Sequence, residues 1–251
     1  AKTGVSAVFV TPAHQFPLGM VLSPRRRAAL VAWARRTGGL IVEDDYDAEF
    51  RYDREPVGCV QGLAPDVVAL VGTASKALAP GLRRGWLVVP PGLGAAVADA
   101  KAAADLGESV LEQVAFAHLL ANGDYDRHLR HARRVHRARR DAVVAALAEH
   151  LPRARVFGVA AGLHLVAELD PDADDAAIVD SARSLGLGPL ALSSLRWRSI
   201  GPPGLVLGYA AHTPDELREA VRRLSTVVTD QPGSTRRSAV RPPSGRTASL
   251  R

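Results

Sequence analysis

Lysine is nearly absent from this chain. Of 32 basic residues, 29 are arginine, and the lysines are Lys2, Lys76 and Lys101. Arginine suffices wherever a fixed positive charge is needed, but it neither deprotonates near neutrality nor forms an imine, and lysine does both. Each lysine is therefore marked as a position where a primary amine has a use. Cysteine is scarcer still: Cys59 stands alone, which excludes an intrachain disulfide and a cysteine-based metal site. No uninterrupted apolar run reaches about 18 residues, so no helical membrane span is expected. The opening Ala1-Lys-Thr-Gly carries no basic stretch leading into an apolar one, and no secretory signal is read there. The default expectation is a cytoplasmic protein.

The 251 residues, 47% of them apolar, suffice for one large domain or one and a half small ones. The net charge of +6 is concentrated in two places. Residues 230–251 carry +4 and residues 123–140 carry +5, which leaves the remainder at −3. The globular body is not a uniformly basic nucleic-acid surface. The seven arginines of 123–140 lack the interleaved aromatics of single-strand binders and read as the solvated face of a long helix. His128, His131 and His136 on that segment have no identifiable third and fourth zinc ligands, so no metal is expected.

Residues 7–11, 40–43, 67–72 and 85–90 read as buried strands. A helix opens at Ser23-Pro24, an N-cap followed by proline at the first helical position, and Gly38-Gly39 closes it. This pattern implies an α/β sheet covered on both faces. Helices are expected at 92–106, 109–121 and 124–151. Two strands paired around Gly162, a helix over 174–185, short strands at 189–192 and 205–209, and a helix over 214–228 capped by Thr213 complete a small α+β unit. From Asp230 onward the Pro/Gly/Ser/Arg-rich composition predicts disorder.

Chemistry gathers beyond two strand ends, where open α/β sheets place their ligand crevice. Asp44 follows one strand and Lys76 the next, with Thr73 and Ser75 beside the lysine and Arg83 seven residues beyond it. An amine, a carboxylate, hydroxyls and a guanidinium are what a phosphate-bearing aldehyde cofactor requires: an imine, a partner for a ring nitrogen, and a phosphate cradle. From composition alone the acidic cluster 43–47 also reads as a solvated loop. Asp44, Asp45 and Asp47 offer oxygen ligands to a divalent cation, although EF-hand spacing is absent.

Three longer stretches sharpen this reading: Val10-Thr-Pro-Ala-His-Gln-Phe-Pro-Leu-Gly19, Val42-Glu-Asp-Asp-Tyr-Asp-Ala-Glu-Phe-Arg-Tyr52 and Gly72-Thr-Ala-Ser-Lys-Ala-Leu-Ala-Pro-Gly-Leu-Arg-Arg-Gly85. Together they resemble the C-terminal domain of MocR-type regulators of the GntR superfamily, which fuse a winged helix-turn-helix to a fold-type I aminotransferase-like domain. The resemblance implies an α/β fold of that type, pyridoxal 5'-phosphate (PLP) as cofactor, and a small amino compound or PLP itself as ligand. It also implies a homodimer, and DNA contacted only through an N-terminal module that this sequence does not contain. Lys76 becomes the Schiff-base lysine, Asp44 the partner of the pyridinium nitrogen, and Tyr46 the partner of the ring's phenolic oxygen. Thr73, Ser75 and Arg83 become the phosphate ligands. His14, inside the first matched stretch, is read as ligand-facing.

Two departures accompany the resemblance. Catalysing aminotransferases usually place asparagine where this chain has Phe16, a change that MocR-type proteins share. The family's carboxylate-binding arginine aligns with Ser194, leaving Arg196 or Arg198 as substitutes. The implied division is 1–122 as the C-terminal part of the PLP domain, 123–229 as the long helix with the small domain, and 230–251 as a basic tail. The chain is read as beginning mid-domain, so a regulator domain, a working aminotransferase and an inactive fragment stand as the three functional readings.

Overall fold

A computed structural model describes residues 4–52, 58–198 and 200–229, and the 230–251 tail lies outside them. Strands β1 (Ala7–Val10), β2 (Leu40–Asp45) and β3 (Val68–Thr73) run parallel, and β4 (Gly85–Val88) closes the sheet antiparallel in the order β1-β2-β3-β4. Between β1 and β2 lies helix α1 (Pro24–Thr37). The Ser23 hydroxyl accepts from the Arg26 N–H at its start, and Gly38 ends it in the left-handed conformation. The cap that the sequence announces is the cap that forms.

Val8, Val10, Ile41 and Val68 face α1 and bury against Ala34, Val60 and Ala64. The opposite face departs from expectation. By register Phe9, Val42, Ala69, Val71 and Leu87 share it, and Phe9 and Leu87 are 66% and 48% exposed. The sheet is thus not covered on both faces among the described residues. The expected β2 also proves short by two: Asp44 and Asp45 stay in the strand because each pairs with β3, at Val71 and Gly72.

Helices α2 (Gly94–Asp105), α3 (Val110–Ala121) and α4 (Asp124–His150) follow as read from the sequence. The second sheet, in the order β5-β6-β8-β7, is antiparallel: β5 (Arg155–Phe157), β6 (His164–Glu168), β7 (Leu190–Ala191) and β8 (Gly204–Gly208). Helices α5 (Asp175–Ser184) and α6 (Pro214–Thr229) pack on it. Reciprocal bonds between Thr213 and Glu216 form a capping box at the start of α6.

Helix α4 serves two cores. Its first turns bury Tyr125 and Leu129 against Ala77, next to Lys76, and His128 Nε2 donates to the Ala77 carbonyl at 2.7 Å. Its last turns bury Val143, Ala146 and Leu147 with Leu165, Tyr209, Leu217 and Val221. Each such buried Val or Leu contributes about 1.5–3 kcal/mol by leaving water.

Candidate functional site

Three loops follow the carboxyl ends of the parallel strands: 11–22 after β1, 46–52 after β2 and 74–79 after β3, and the first two are joined by hydrogen bonds from His14 to Asp47 and from Tyr46 to His14. Strand alternation and the β2–β3 register put Asp44, Val71 and Thr73 on one face. Lys76 is exposed in the turn directly after β3. That turn is fixed from both sides. The Ala74 N–H donates to the Arg84 carbonyl at 2.9 Å, the Leu78 N–H to the Ala74 carbonyl at 2.8 Å, and His128 holds Ala77 from α4. The Lys76 backbone is therefore anchored while its amine stays accessible.

The hydroxyls differ in availability. Thr73 Oγ1 donates to the Arg84 carbonyl and accepts from the Ser75 N–H, each at 3.1 Å. The Ser75 hydroxyl makes no hydrogen bond among the described residues. The adjacent arginines divide in the same way. Arg84 is clamped by Glu108 at 2.7 Å and Glu112 at 2.9 Å. Arg83, exposed at the end of the 3-10 turn Pro80–Leu82, forms no ion pair among the described residues. Ser75 and Arg83 are thus the groups of this loop still open to an anion.

Charge around β2 is strongly acidic. Glu43 is buried and spent on structure, accepting the Val60 and Gln61 N–H groups at 2.9 and 2.8 Å. Burial, and then the charge of Asp47, raise the Asp44 carboxyl above its ordinary range. Burial and the nearby Glu49 push Asp45 up to about 6. Burial also raises the Tyr46 hydroxyl, with Asp47 and Asp44 adding to it, so Tyr46 is a hydrogen-bonding phenol at neutral pH. Its hydroxyl donates to the His14 carbonyl at 3.1 Å. A carboxylate held in this way is stabilised by any cation placed against it, such as a protonated ring nitrogen.

His14 lies in the first loop, buried, with Nδ1 2.8 Å from Asp47 Oδ2. Asp47, which the sequence offers only as an oxygen ligand for a cation, and His164, which packs its ring 5.2 Å from that of His14, both join the site through His14. They lie 33 and 150 positions from His14 in the sequence, and no local pattern points to such a pairing. Arg196 and Arg198 sit apart, in the loop between β7 and β8. The Arg196 guanidinium donates to the Gly201 carbonyl at 2.7 Å and to that of Pro202, and Arg198 is exposed. Among the described residues no hydrogen bond or ion pair joins either to the Lys76 loop.

Known proteins resemble this chain in sequence and in fold. The chain is 35% identical over 225 residues to the HTH-type pyridoxine biosynthesis transcriptional regulator PdxR of Corynebacterium glutamicum, covering 89% of this chain and 49% of that protein. It is 34% identical over 219 residues to the probable rhizopine catabolism regulatory protein MocR of Rhizobium meliloti, covering 86% and 44%. The chain therefore spans about half the length of the curated relatives it matches. In structure it superposes on the kynurenine aminotransferase of Pyrococcus horikoshii, solved in complex with PMP, with a TM-score of 0.81 and 27% identity, over 90% of this chain and 56% of that one. The profile of the family described as aminotransferase class I and II matches residues 2–224. This chain belongs to the class I and II aminotransferase family.

Proposed function

We propose that this chain is the PLP-binding, aminotransferase-like effector domain of a MocR-type transcriptional regulator. One observation carries the reading: an accessible lysine on an anchored turn after β3, beside a strand that presents the half-buried Asp44 carboxylate, which forms no ion pair among the described residues. The donor set fits the cofactor. Lys76 supplies the amine, Asp44 holds the ring-nitrogen proton, and the Tyr46 hydroxyl faces the ring. Ser75 and Arg83 hold the phosphate, with Thr73 bracing the loop. When bound, PLP supplies an aldehyde that captures amines and a ring that accepts electrons.

The regulators among the relatives favour sensing over turnover. Phe16 does too, since its phenyl ring packs edge-on against His164 at 5.2 Å and offers no hydrogen bond to a ring oxygen. A small amino compound, or PLP itself, is the proposed ligand. His14 fixes the loop beside it, and Arg198, the freer of the two arginines, is the proposed carboxylate anchor, with Arg196 as its alternative. A homodimer, DNA contact through a separate N-terminal module, and a cytoplasmic location complete the reading. No helix among the described residues is long and apolar enough to cross a membrane. The proposed division places the cofactor loops in 1–122 and the small sheet in 123–229, with α4 joining them.

The second reading, a working aminotransferase, is favoured by the superposition on a catalysing enzyme. In that reading the Lys76 amine would take up and return a proton at Nζ. Titration with PLP separates these readings. A visible absorbance band that Lys76→Ala removes is expected, and its persistence in that variant sinks the lysine assignment. Incubation with amino acids that yields stoichiometric pyridoxamine phosphate favours the enzyme, and a change in the band without that product favours the sensor.

A further inference from the structure

The His14–Asp47 pair lies where the two sheets meet. A carboxylate oxygen accepts, so His14 Nδ1 carries the hydrogen. His164, the first residue of β6, donates from Nε2 to the Pro17 carbonyl at 3.1 Å. Gly162, just before β6, closes the other side. A Cβ there would lie 2.5 Å from His14 Nδ1 and 2.7 Å from Asp47 Oδ2, and its φ of +72° already favours glycine. The Gly162 N–H donates to the Phe50 carbonyl, and its own carbonyl accepts from the Tyr52 and Tyr209 hydroxyls, each at 2.7 Å.

A ligating atom from each of His14, Asp47 and His164 lies within 4.8 Å of the others, the composition of a transition-metal site. The geometry is that of a hydrogen-bonded network instead. Tetrahedral zinc, with bonds of about 2.0–2.1 Å, spaces its ligands about 3.3 Å apart, and the Nδ1–Oδ2 separation is 2.8 Å. His164 Nε2 is spent on a carbonyl, and Gly162 fills the remaining side.

We infer that His14 is a positioning residue. Locked by Asp47 within its own half and by Gly162 and His164 from the second sheet, it holds the Tyr46 hydroxyl through its carbonyl and sets the loop that carries Phe16. The placement of the second sheet is thereby read at the ring-binding end of β2. This rests on the proposed role of Tyr46 beside the cofactor, but the lock itself exists without PLP.

Two near-isosteric substitutions test it. His14→Asn keeps an N–H where Nδ1–H stands, and His14→Gln moves the donor to the Nε2 position. Without PLP, hydrogen exchange in segments 11–22 and 160–166 rises about tenfold in H14Q and stays within about threefold of wild type in H14N. With PLP, the apparent Kd read from the absorbance band rises at least about tenfold in H14Q and at most about threefold in H14N. Gly162→Ala, made in the second half of the chain, increases exchange in 11–22 as well.

Wild-type exchange in H14Q, equal damage in H14N and H14Q, or a Gly162→Ala effect confined to 160–166 overturns the inference. Should H14Q fail to fold by circular dichroism, the half-buried His164 decides. H164L is then expected to loosen 11–22 and H164Q, which keeps the donor to Pro17, is not; wild-type exchange in H164L overturns the proposal. If wild-type protein gives no PLP band, the proposed function falls, and the cofactor-free exchange still judges the lock.

Discussion

Gly72 lies directly against the Trp86 indole: a Cβ on Gly72 would fall within 2.6 Å of Nε1, Cε2 and Cζ2 of that ring. The indole in turn stacks on Phe116 with ring centroids 6.3 Å apart, and Phe116 meets Tyr125 of α4 edge-on. The strand that delivers Lys76 is thus linked at a bare backbone position, through Trp86 of β4 and Phe116 of α3, to α4. Gly72→Ala is expected to displace the indole and cost about 1–3 kcal/mol, the usual penalty for overpacking. Thermal unfolding and tryptophan fluorescence measure it, and a variant that melts with wild type rejects the close approach.

The two adjacent arginines should separate function from stability. Arg83→Gln is expected to weaken PLP binding about tenfold, because a bidentate phosphate contact is lost, and to leave the melting temperature unchanged. Arg84→Gln breaks the pairs to Glu108 and Glu112 and should cost about 1 kcal/mol of stability with little loss of PLP affinity. Absorbance titration alongside thermal melts reads both. A reversed pattern would assign the phosphate to Arg84.

Asp45 predicts a pH dependence. Its carboxyl is pushed up to about 6 in the folded state from an ordinary value of about 3.9. The protonated form is therefore the one that folding favours. The stability this group contributes is complete below about pH 4 and is lost as pH rises through about 6. The full shift corresponds to about 3 kcal/mol, reduced to about 1–2 kcal/mol because the group is partly screened by solvent. Asp45→Asn, which retains an oxygen for the Ala48 N–H, should match wild type near pH 4 and exceed it increasingly up to about pH 6.5. Denaturant midpoints across that range test it; a constant difference would place the strain elsewhere.

Asp175 is a buried carboxylate with a structural task. It accepts the Ser193 and Gly204 N–H groups at 3.0 Å each, together with the Ser193 hydroxyl. Asp175→Ala leaves those donors unpaired and should cost about 3 kcal/mol, visible as a lowered denaturant midpoint. Asp175→Asn, which keeps acceptor oxygen, should recover part of the loss.

Much of the fold was legible because its signals are local. Ser23-Pro24, Thr213 and Gly38 announce helix ends through bonds within four residues, and the long helices begin and end close to where their spacing places them. The strand end at β2 was legible only in part. Asp44 and Asp45 are poor strand formers, and they are held there by β3, whose register no short stretch records. The site divides along the same line. Lys76, Asp44, Tyr46 and Arg83 stand in recognisable stretches. Asp47 stands in one of them too, but its pairing with His14 and the approach of His164 run across the chain, and the exposed Phe9 and Leu87 contradict the two-sided cover that the strand pattern suggested.

Helix α4 is 27 residues long and continuous, so at about 1.5 Å per residue it is a lever arm about 40 Å in length. Its fulcrum lies at Ala77, one residue from the lysine, and its load is the second sheet. A tilt of about 5° at the fulcrum carries the far end through about 3.5 Å, enough to reset a packed interface. A small displacement at the Ala77 end of so long a helix would therefore be a larger one at the second sheet.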